Sequence, residues 1–78
     1  MLKASLPVRE KMIDLQAAGK ISVIGYNWGF RKEGIFMTIE FEILNHQQST
    51  REYICRSFTS KMMEGCVAQA LSLLNEIP

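Results

Sequence analysis

The segment Ile35-Phe36-Met37-Thr38-Ile39-Glu40-Phe41-Glu42-Ile43 repeats with a period of two. Ile35, Met37, Ile39, Phe41 and Ile43 share one side, and Thr38, Glu40 and Glu42 share the other. That period belongs to a strand with one buried and one open face, so the apolar set needs a second layer to pack on. Upstream, Ile21-Ser22-Val23-Ile24-Gly25-Tyr26-Asn27-Trp28-Gly29-Phe30 is β-branched and aromatic, with Ile24, Tyr26, Trp28 and Phe30 on one parity. It reads as the preceding strand. Arg31-Lys32-Glu33-Gly34 between them is polar and ends in glycine, as a hairpin loop does. Residues 44–50 form a second turn, and Arg51 to Phe58 a third strand, giving a three-stranded antiparallel meander.

Helical spacing flanks the strands. Ser5-Leu6-Pro7 reads as a start and Gly19 as a stop, predicting a helix over 6–18 with Val8, Met12, Leu15 and Ala18 inward. Arg9, Glu10, Lys11 and Asp14 take its other side, with Lys11 and Asp14 spaced for a surface pair. From Thr59 or Ser60 onward, Met63, Val67, Ala70, Leu71, Leu74 and Ile77 recur on one face, opposite Glu64, Gln69, Asn75 and Glu76. Thr59 or Ser60 is the expected cap of this last helix. The predicted fold is α+β in the order αβββα: one domain over 1–78, with both helices on one face of the sheet.

At 78 residues the core is thin, although 47% hydrophobic residues suffice for a fold without staples. A homodimer covering apolar surface would add stability and is one expected state. The formal charge of +1 sets up no global field toward nucleic acid or anionic lipid. No apolar stretch has the length of a membrane span, and Met1-Leu2-Lys3-Ala4-Ser5 lacks the apolar core of a signal peptide. The expectation is a cytoplasmic protein. Cys55 and Cys66 belong to no CxxC pair and read as free buried thiols. A disulfide between them would need the strand and helix to bring them together.

The order of elements, Pro7 opening the first helix, Met12-Ile13-Asp14-Leu15 within it, and Ser60-Lys61 before the last together resemble the double-stranded RNA-binding domain. The resemblance covers nearly the whole chain. It implies that Lys61 at the start of the final helix meets phosphates across the major groove, and that the first hairpin loop reaches the minor groove. Ser60-Lys61 is followed by Met62-Met63-Glu64, however, where that family has further cations, and Arg31-Lys32-Glu33-Gly34 lacks its histidine.

Three sets of residues are candidates for function. Ser60, Lys61 and Arg56, with Arg31 and Lys32, form a candidate phosphate or nucleic-acid contact at a helix start. The alternative for them is ordinary capping and solvated strand positions. Tyr26, Trp28 and Phe30 make an aromatic row that is either core or a surface that stacks bases or anchors a protein partner, the protein partner being favoured of those two. Glu40 and Glu42 on the open strand face would repel a phosphate backbone, and Met62, off the helix stripe, would extend an apolar edge. With a single histidine, His46, in a polar turn, there is no basis for a Cys-His dyad or a zinc site, and no cofactor is expected.

These features favour a small non-enzymatic module that binds another protein through its sheet face or edges, as an accessory, dimerisation or inhibitory subunit. One alternative is weak shape-based binding of double-stranded RNA or DNA, and another is an inhibitor of phage or plasmid type. No membrane partner is expected.

Overall fold

A computed structural model describes residues 5–78, so the leader reading of residues 1–4 lies outside it. Its elements are α1 (Leu6–Ala17), β1 (Ile21–Arg31), β2 (Gly34–Asn45), β3 (Thr50–Ser60) and α2 (Met63–Asn75). The strands form one antiparallel sheet in the order β1-β2-β3, with α1 packed on β1 and α2 on β2 and β3, so the α+β fold in αβββα order is as expected. No described helix is long and apolar enough to cross a membrane.

Helix α1 ends in a Schellman turn. Lys20 N–H donates to Leu15 C=O at 2.9 Å and Gly19 N–H to Gln16 C=O at 3.0 Å, while Gly19 takes φ +75°, where a side chain is strained. Val8, Met12 and Leu15 are buried as the spacing predicts, whereas Ala18 is exposed beyond the last turn. Lys11 and Asp14 do not pair; the ion pair among the described residues joins Arg51 to Glu42.

The core lies between the two layers. Met37, Ile39 and Phe41 of β2 are fully buried, against Val8 and Met12 of α1 and Cys66, Val67, Ala70 and Leu74 of α2. On β1 the inward parity changes midway. A β-bulge between Val23 and Gly25 puts Ile21 and Val23 on the same side of the sheet as Tyr26, Trp28 and Phe30, of which Val23, Tyr26 and Trp28 pack against the core, and turns Ile24 out to half exposure. The single aromatic-plus-Ile24 row expected from the sequence is thus broken at Ile24.

Helix α2 starts later than the pattern suggests. Thr59 and Ser60 continue β3 opposite Phe36 and Ile35 of β2, so both positions are extended and not helical. Met62, in extended backbone, is the N-cap, and no side chain caps the helix; the expected caps Thr59 and Ser60 lie in β3. Ser60 Oγ instead accepts a hydrogen bond from Met62 N–H at 3.4 Å, outside the helix. Lys61 consequently stands in the connection, before the first helical turn.

Candidate functional site

A residue advances about 3.3 Å along a strand and 1.5 Å along a helix. The 11 residues of β1 therefore run far past the 12 residues of α1, which turns back at Gly19 and lies over the first part of that strand. Gln16 Oε1 takes Val23 N–H at 2.8 Å, and Arg9, Met12 and Ile13 line a groove with Val23 and Tyr26. Past Tyr26, β1 runs on beyond α1. There Trp28 is half-buried and Phe30 is 75% exposed, with their rings edge-to-face at 5.8 Å and 82°.

Phe30 pairs with Ile35 and Ile35 with Ser60, so Met62, two residues on and 63% exposed, belongs to the same end of the sheet. Gly34 draws this end together. It has φ +143°, and a Cβ on it would come within 2.5 Å of Ser60 C=O and 3.2 Å of Lys61 Cα. The hairpin turn with Arg31 and Lys32 is accordingly close to Lys61, and Glu33 and Glu64 share that end.

The candidate residues sort onto two faces. Tyr26 and Trp28 pack half-buried on the core, and Tyr26 Oη is buried without a hydrogen-bond partner among the described residues. Glu40 and Glu42 stand on the opposite, open face, so they do not form one surface with the aromatic row. Arg56 pairs with Ile39 and therefore faces the helix side, roughly 13 Å along β3 from Ser60. It does not join Lys61. The structure brings Arg31, Lys32, Ser60 and Lys61 to one end and leaves Arg56 in mid-strand.

Most polar groups on the open face have partners. Tyr53 Oη–H donates to Glu40 Oε2, which pushes the tyrosine up to about 12, with partial desolvation and the negative charge of Glu40 adding to the effect. Arg51 Nη1 reaches Glu42 Oε1 at 3.5 Å, and Thr38 Oγ1 and Ser57 Oγ share a hydrogen bond at 2.7 Å. The Arg31 guanidinium lies 4.4 Å from the Phe36 ring centroid. Tyr53, Arg51 and Phe36 were not among the candidates. The signal in the sequence is the period of two within each segment, which groups Phe36 with Thr38 and Arg51 with Tyr53 and Cys55.

The two thiols are free and lie on different sides of the sheet. Cys55 is exposed opposite Glu40, contrary to the buried reading, whereas Cys66 is fully buried with Sγ 3.4 Å from Ile35 C=O, and burial raises its pKa. His46 Nε2 is 2.7 Å from Gly19 C=O, tying the second turn to the end of α1. No group of three or more His, Cys, Asp or Glu among the described residues is placed to hold a metal.

No family model matches the chain, and no curated protein or solved structure matches it either.

Proposed function

We propose that this chain is a small non-enzymatic module that binds a protein partner through the projecting end of its β1–β2 hairpin. The observation that carries this reading is Phe30, 75% exposed on strand beyond the reach of α1, stacked edge-on against Trp28 and at the same end as Met62. Covering a phenylalanine or methionine side chain contributes about 1.5–3 kcal/mol, and an aromatic anchor beside a flexible methionine is characteristic of the energetic centre of a protein interface. The charges at this end, Arg31, Lys32 and Lys61 against Glu33 and Glu64, suit the polar rim of such a contact.

The test is affinity capture with the wild-type chain and with Phe30→Glu, each checked for an unchanged melting temperature. A protein retained by the wild type and lost by Phe30→Glu supports the reading. Equal retention by both variants overturns it.

Duplex RNA is the second reading, favoured by the convergence of Arg31, Lys32 and Lys61 on one end of the sheet. Saturable, salt-dependent binding of an RNA duplex that is lost in Lys61→Glu would replace the first reading with the second.

A further inference from the structure

Strand β3 is an edge strand of 11 residues, and residues 50–53 and 55–57 are exposed. A bare edge of that length is a template for another strand. The other edge, β1, carries the bulge at Ile24 and gives its Val23 N–H to Gln16. On β3, side chains reach main-chain carbonyls: Arg56 Nη1 donates to Cys55 C=O at 3.1 Å, and Gln69 Nε2, bonded to Gly65 C=O at 3.1 Å within α2, also reaches Thr59 C=O at 3.4 Å. Alternate residues of a strand turn both main-chain groups to the same side. The N–H and C=O groups of Arg51, Tyr53, Cys55 and Ser57 therefore face outward.

We infer that β3 pairs antiparallel with β3 of a second copy, with Ile54 on the two-fold axis, joining two sheets into one of six strands. The identity of the partner follows from self-complementarity. In this register Glu52 of each copy lies opposite Arg56 of the other, Ile54 opposite Ile54, and Tyr53 opposite Cys55. Shifting the axis to Cys55 sets Ile54 against Arg56 and Glu52 against Phe58, and shifting it to Tyr53 sets Glu52 against Ile54. An axis at Glu52 or Arg56 opposes like charges directly. The Ile54 register alone joins apolar to apolar and acid to base on the helix side.

Packing supports the same centre. Ile54, Leu73 and Ile77 line a groove beside this edge, whose charged lining is Glu52 and Arg56 of β3 and Glu76 after α2. Arg56 has no ion-pair partner among the described residues, and the carbonyl it covers is one that the second copy's Tyr53 N–H would take over. Pairing thus frees the guanidinium to meet the second copy's Glu52. This surface is separate from the hairpin end, so the inference stands or falls independently of the proposed function.

Sedimentation equilibrium of charge-reversed variants tests it. The wild type is expected to dimerise. Glu52→Arg alone and Arg56→Glu alone, both at exposed positions, should each weaken dimerisation roughly ten- to hundredfold, because each places two like-charge pairs across the two-fold. An equimolar mixture of those two variants should restore a dimer, as should the double reversal in one chain. Mild oxidation reads the register directly: Tyr53→Cys should form a covalent dimer through Cys55, whereas the wild type should not cross-link. A monomeric wild type, a dimer indifferent to the reversals, or wild-type cross-linking through Cys55 overturns the inference. Phe30→Glu should leave the dimer intact.

Discussion

Phe36 lies across the main chain of Gly29 on the neighbouring strand, so close that a Cβ at position 29 would be 2.7 Å from Phe36 Cε1. The ring covers a strand glycine that has no side chain of its own to pack, and the Arg31 guanidinium sits against the same ring. Gly29→Ala should therefore cost about 1 kcal/mol with Phe36 present and much less in a Phe36→Ala background. Urea denaturation of the four proteins in that cycle measures the coupling.

The two exposed-strand partners Tyr53 and Glu40 supply a pH prediction. Because the folded tyrosine holds its proton up to about 12, against 10.0 ordinarily, the stability it contributes is fully present below pH 10 and is lost as pH rises through 12. NMR titration of the Tyr53 ring should give that high midpoint in the wild type and a lower one, near the ordinary value, in Glu40→Gln.

The thiols should react at very different rates. A thiol reagent is expected to label one cysteine, Cys55, in the native protein and both in denaturant, since Cys66 is fully enclosed and its thiolate is disfavoured by burial. Fast labelling of Cys66 under native conditions would contradict the packing of α2 on β2.

Two phenylalanines of neighbouring strands should behave oppositely. Phe41→Ala removes a fully buried ring and should cost about 3–5 kcal/mol, enough to unfold a domain of this size. Phe30→Ala should cost about 1 kcal/mol or less, mainly its edge contact with Trp28. Circular dichroism melts of the two variants distinguish them.

Tyr26→Phe should leave the domain as stable or raise it by about 1 kcal/mol, because the hydroxyl is buried without a hydrogen-bond partner among the described residues. A clear loss of stability, measured by urea denaturation, would mean that the hydroxyl has a partner.

Local pattern was enough to determine the five elements, their order and most of the core. The period of two in Ile35 to Ile43 and the helical spacing of Val8, Met12 and Leu15 each follow from one element's own geometry. Tertiary structure decided what depends on two elements at once. Pairing with β2 kept Thr59 and Ser60 in a strand and moved the helix start to Met63. The bulge at Ile24 set which β1 residues meet the helices. Cross-strand register put Arg51 beside Glu42 and sent Arg56 to the other face, and the shorter rise of α1 left Phe30 uncovered. Register and reach are relations between segments, and a one-residue slip inverts every side chain of a strand, so no single segment's pattern encodes them.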